Sequence, residues 1–115
     1  MHRVHLKSPP ESDPGNLIAS RKVRKLYYRF LEAICGIHDE VQERTTRLES
    51  RVFFGDILLC RVVPYRDLFH VQVGGENPWE IRVRDAESCF DTLDHVLARF
   101  LDIYPSGERR QSPAT

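Results

Sequence analysis

Long apolar runs are missing from this sequence. No stretch approaches the ~18 apolar residues of a membrane-spanning helix, and the N-terminus lacks the apolar core of a secretory leader. A cytoplasmic protein without a membrane partner is the expectation. Cysteine is scarce as well, with three in 115 residues. Cys35, Cys60 and Cys89 lie far apart and form no C-x-x-C pair, which excludes a disulfide scaffold or a structural zinc site and suits a reducing compartment. Charge of one sign is also lacking: Lys plus Arg number 17 and Asp plus Glu number 17. There is therefore no global basic field of the kind that nucleic-acid-binding domains carry. Arginine outnumbers lysine fourteen to three, a bias that a GC-rich genome explains as well as a need for guanidinium forks.

Catalytic signatures are absent too. No G-x-S-x-G, H-E-x-x-H or kinase set occurs. Gly74-Gly75 opens no helix, so it is not a phosphate cradle; it reads as a hairpin loop needing positive φ. Asp56 with Glu80-Ile81-Arg82 is a poor version of the D…E-x-K pattern of metal-dependent nucleases. Arginine cannot tune its charge as lysine does, and a turn explains Asp56. Asp91 and His95, four apart, read as an exposed ion pair, and His38-Asp39-Glu40 as a polar loop. No cofactor, metal or catalytic residue is assigned, and the chain is expected not to be an enzyme.

What is present is periodicity. Residues 1–15, with Pro9, Pro10, Pro14 and Gly15, read as an unpacked tail, and residues 106–115 as another. Residues 16–105 form one domain. Val23, Leu26, Tyr27, Phe30, Leu31 and Ile34 draw an apolar stripe that predicts a helix from Asn16, its cap, to Gly36, its left-handed end. Residues 41–48 are polar and read as an edge strand, with 51–54 continuing in the same style. Gly55-Asp56 is a hairpin signal. Ile57–Val63 is apolar on both faces, as a central strand is. Phe69, Val71 and Val73 alternate with His70 and Gln72, and Trp79, Ile81 and Val83 with Glu80, Arg82 and Arg84. A final helix opens at Asp85–Ser88, carries Phe90, Leu93, Leu97, Phe100, Leu101 and Tyr104 inward, and stops at Pro105 and Gly107. The fold class is α+β: a helix, a three- to four-stranded antiparallel sheet and a helix, with both helices on one sheet face. That order resembles, in architecture alone, small bacterial secretion chaperones, and no residue carries over from it.

Two surfaces are candidates for binding. Arg21, Arg24, Lys25, Tyr28 and Arg29 share the outer face of the first helix. Cations in a first turn oppose the helix dipole, so a cationic ridge with an aromatic ring suits phosphate and base contacts or a protein partner. The polar sheet face offers His70, Gln72, Arg82 and Arg84, without the aromatics of an RNA-binding sheet. The final helix carries Asp91, Asp94 and Asp102 outward, opposite in charge to the first. The expectation is a non-enzymatic protein-interaction module, adaptor or chaperone-like and able to form a homodimer. The alternative is nucleic-acid binding through the basic helix face.

Overall fold

In the computed structural model, residues 13–74 and 78–111 are described, the side chains of 105–111 excepted. The first apolar stripe folds as α1 (Arg21–Cys35), burying Val23, Tyr27, Phe30, Leu31 and Ile34. Its cap is Ser20, whose hydroxyl accepts from the Val23 N–H, rather than Asn16. The reason lies upstream. Asp13 accepts from the Gly15 N–H at 2.9 Å and starts a 3-10 turn over Pro14–Leu17. The N–H groups of Ala19 and Ser20 then bond to the Arg66 carbonyl. That tether holds the chain extended until Ser20. Residues 13–15 are thus part of the fold, with Pro14 and Gly15 buried, whereas residues 1–12 of the expected tail lie outside the described residues. Gly36 closes α1 at φ −84°, in the right-handed region and not the left-handed one.

The sheet has five strands, one more than the upper expectation: β1 (Val41–Thr45), β2 (Ser50–Phe54), β3 (Ile57–Pro64), β4 (Phe69–Val73) and β5 (Trp79–Val83). Their order in space is β1-β2-β3-β4-β5, every pair antiparallel. Residues 46–49 turn the chain back between β1 and β2, where the Thr46 hydroxyl accepts from the backbone N–H of Leu48 and Glu49. Gly55, at φ 63°, supplies the left-handed residue of the β2–β3 turn. β3 is central, as its two-faced apolarity implied. A register shift after Val52 makes Leu59 the extra residue opposite the Val52–Phe53 step. Leu59 and Cys60 are consecutive and both fully buried. Gly74 carries no positive φ; a side chain there would crowd the Leu58 carbonyl, 3.1 Å from where its Cβ would sit. Gly75, Glu76 and Asn77 lie outside the described residues.

α2 (Ala86–Gln111) begins after Asp85, whose carboxylate accepts from the Ser88 N–H at 2.8 Å. Its backbone continues through Pro105 and Gly107 rather than ending there; residues 112–115 of the expected tail lie outside the described residues. Five antiparallel strands, an odd number, make the two helices run parallel on the same sheet face. Lys22 accordingly lies near Asp85, at the two helix starts, and the His38 ring packs on Phe100 and Tyr104 beyond the end of α1. Between helices and sheet, Tyr27 meets Phe69 edge-on at 5.5 Å and Phe30 meets it tilted at 5.7 Å, beside Val52, Val62, Val71, Val83 and Val96. Full burial of each aliphatic side chain stabilises the fold by about 1.5–3 kcal/mol.

Candidate functional site

The outer face of α1 divides in two. Tyr28 and Arg24 turn back onto the segment before the helix: the Tyr28 hydroxyl donates to Asp13 at 2.7 Å and Arg24 Nε donates to the Ile18 carbonyl at 3.2 Å. Gly15 lies so close under the Tyr28 ring that a Cβ there would overlap the hydroxyl. These two residues fasten the chain entering α1. Arg21, Lys25 and Arg29 remain exposed to solvent. The five residues grouped from the sequence are therefore three surface cations and two fasteners. Tyr28→Phe is expected to cost about 1 kcal/mol or less, as for an exposed hydrogen bond. A urea titration would read that shift, and faster backbone exchange at residues 15–18 would locate it.

Burial, and for Tyr28 also its bond to Asp13, holds the phenols of Tyr27 and Tyr28 protonated well above their ordinary value. A phenol whose folded pKa is raised contributes stability that is complete below the unfolded value, ~10, and lost as pH rises above it.

The open face of the sheet is a single polar network. Glu49, almost buried at the foot of β2, receives Nε–H bonds from Arg51 and from Arg61, the latter at 2.7 Å. Burial opposes ionisation of Glu49, yet the hydrogen bonds and charges of Arg61 and Arg51 outweigh it and hold the carboxyl below its ordinary range. Arg61 also donates to the Gln72 side-chain oxygen at 3.1 Å, Gln72 donates to Glu80 at 2.9 Å, and His70 lies 3.4 Å from Glu80. Arg82 sits beside His70 in register but is exposed, as is Arg84. Of the four sheet residues grouped from the sequence, His70 and Gln72 belong to the network while Arg82 and Arg84 point into solvent. Glu49 was not recognised, because a glutamate inside a polar turn gives no sign of burial. At the far side of this face Arg44 lies over the Phe53 ring, 4.6 Å from its centre.

A third surface lies on α2, where the structure matches the expected apolar stripe at Leu93, Phe100 and Tyr104 and departs from it at three positions. On α2 the side chains buried in the core are Cys89, Thr92, Val96 and Phe100, with Leu93, Ile103 and Tyr104 packed against it. Phe90, Leu97 and Leu101, expected inside, are 67%, 40% and 48% exposed. At ~100° per residue these three form one shoulder of the helix. The opposite shoulder carries His95, whose ring stacks on Trp79 of the edge strand β5 at 3.5 Å. His95 bonds through Nδ1 to the Asp91 carbonyl oxygen, so it is not the ion pair expected with that carboxylate. Trp79 is half-buried beneath it and packs against the core. With β5 on the His95 side, the Phe90–Leu97–Leu101 shoulder faces the groove toward α1. Asp91, Asp94 and Asp102 are exposed along the crest of α2. Among the described residues no ion pair joins the two helices.

Cys60 and Cys89 are buried, and burial pushes both thiols above their ordinary value. Neither supplies a thiolate nucleophile at neutral pH. Among the described residues no three His, Cys, Asp or Glu side chains gather as metal ligands do. No helix among them is long and apolar enough to cross a membrane. The chain shows no match to a protein-family model, to a curated protein or to a solved structure.

Proposed function

We propose that this chain is a small, non-enzymatic protein-interaction module of the cytoplasm, an adaptor or chaperone-like protein. The observation that carries this reading is the exposed apolar shoulder Phe90–Leu97–Leu101. Contiguous apolar surface rimmed by charge is the usual mark of a protein-binding site. Here it lies between the cations of α1 and the carboxylates of α2. Phenylalanine and leucine at that place offer burial without disturbing the core, whose own α2 contacts run through Val96 and Phe100.

The test is recovery of the tagged full chain from its native host, with and without nuclease treatment, beside a Leu97→Asp variant. Leu97 is exposed, so the variant should keep its fold, which an unchanged urea midpoint would verify. A protein retained at stoichiometric yield in high salt, and reduced at least tenfold by Leu97→Asp, is the expected result. Recovery of nucleic acid alone would overturn the reading, provided that it is released by salt through loss of counterion exchange and abolished by Lys25→Glu with Arg29→Glu. The function would then pass to the basic face of α1.

A further inference from the structure

We infer that the partner seated on the α2 shoulder is a second copy of this chain, docked helix layer to helix layer about a two-fold axis that runs along the groove between α1 and α2. The inference rests on the interaction-module reading and names its partner.

Charge and geometry both point to this occupant. The crest of α1 presents Arg21, Lys25 and Arg29, and the crest of α2 presents Glu87, Asp91 and Asp94, all exposed. Within one chain these two sets do not pair. One face of the molecule is thus half cationic and half anionic, with the apolar shoulder between. Such a face is its own complement, which is the requirement of an isologous interface.

Only one kind of two-fold uses that complementarity. An axis lying across the helices would set α1 on α1 and α2 on α2, opposing like charges. An axis along the groove sets α1 of each copy over α2 of the other. The two helices are parallel and in step, as the Lys22–Asp85 and His38–Phe100 neighbours show. Rotation about an axis parallel to them preserves height. Lys25 then falls level with Glu87 and Ser88 of the second copy, and Arg29 level with Asp91 of the second copy. Phe90, Leu97 and Leu101 stand on the groove side of α2, nearest that axis, so the two apolar shoulders meet at the centre with the ion pairs as rim. A desolvated apolar centre inside a charged rim is the usual anatomy of a stable interface. Glu32, on the crest of α1, falls level with Asp94 of the second copy, a like-charged pair along this rim.

The experiment is sedimentation equilibrium of the full chain over a wide concentration range, with four variants. The parent is expected to dimerise. Leu97→Asp should weaken the dimer at least ~30-fold, as loss of a central anchor does. Reversal on α1 alone, Lys25→Glu with Arg29→Glu, should weaken it, and so should reversal on α2 alone, Glu87→Lys with Asp91→Lys. All four reversals in one chain should restore it, because every cross-copy pair is then remade with signs exchanged. A monomer at the highest concentration overturns the inference. A dimer indifferent to Leu97→Asp, or a fourfold reversal weaker than either half, also overturns it by assigning association to another surface. None of these results touches the broader reading, which fails if Leu97→Asp leaves protein recovery from the host unchanged or if nucleic acid alone is recovered.

Discussion

Phe69→Ala is expected to leave the chain at the edge of unfolding in water. Phe69 is fully buried on β4, where Tyr27 and Phe30 of α1 meet its ring and Pro64 and Val83 flank it across the sheet. It is the point at which α1 is joined to the middle of the sheet. Removing a buried phenyl group costs about 3–5 kcal/mol, through lost transfer energy and the cavity left behind. A domain of this size holds only some 5–15 kcal/mol in total. With a urea slope of about 1–3 kcal/mol per molar, the midpoint should fall by roughly 2 M. Trp79 is the sole tryptophan and bridges β5 to α2, so its fluorescence follows the transition. Phe90→Ala is the matched control. It removes the same group from an exposed site and, at a concentration low enough to keep the chain monomeric, should change stability by no more than about 0.5 kcal/mol. If both variants lose stability alike, Phe90 belongs to the core and the shoulder assigned to binding does not exist.

The second large effect is set by acid. The Glu49 carboxyl has a folded pKa below its unfolded value, ~4.3. The stability it confers is complete above that unfolded value and disappears as pH falls through the folded one. Glu49→Gln removes this contribution, so parent and variant curves of stability against pH should run a constant distance apart above about pH 4 and close as pH falls below it. Breaking a fully buried ion pair costs about 3–5 kcal/mol. Here the partner side chains of Arg51 and Arg61 are 51% and 39% exposed and can be rehydrated, so about 1–2 kcal/mol at pH 7 is expected. Urea titrations at pH 7 and at pH 3 measure both limbs. A parent–variant difference that stays constant across the two would show that the carboxylate charge has no part in holding the sheet face.

How legible these features are in the sequence varies with how the chain uses its faces. β4 and β5 are transparent, because each is wet on one side and dry on the other, and strict alternation records that. β1 is obscure because its core side carries Glu43, a polar residue satisfied locally by the hydroxyls of Thr45 and Ser50. That arrangement erases the hydrophobic alternation by which a strand is recognised. In α2 the difficulty is one of rotation. Phe90, Leu97 and Leu101 obey the same ~3.6-residue period as Cys89, Val96 and Phe100, and the larger side chains draw attention to the wrong shoulder. The small residues Cys89, Thr92 and Val96 are what let this helix approach the sheet. The opposite charges of the two helices are readable from sequence. That they lie side by side, parallel and unpaired, requires counting the strands between them.

That strand count has a kinetic consequence. Each strand pairs only with its neighbour in the chain, so the sheet is assembled from four successive hairpins, each closing a short loop at small entropic cost. Hairpins form within about 1–10 μs, and a topology rich in such local contacts belongs at the fast end for mixed domains. The closure that spans the whole chain is the docking of α2 beside α1. A folding transition state with most of the sheet formed and the helix pair still loose is the consequence. Substitutions in the helix–helix groove would then change the unfolding rate far more than the folding rate.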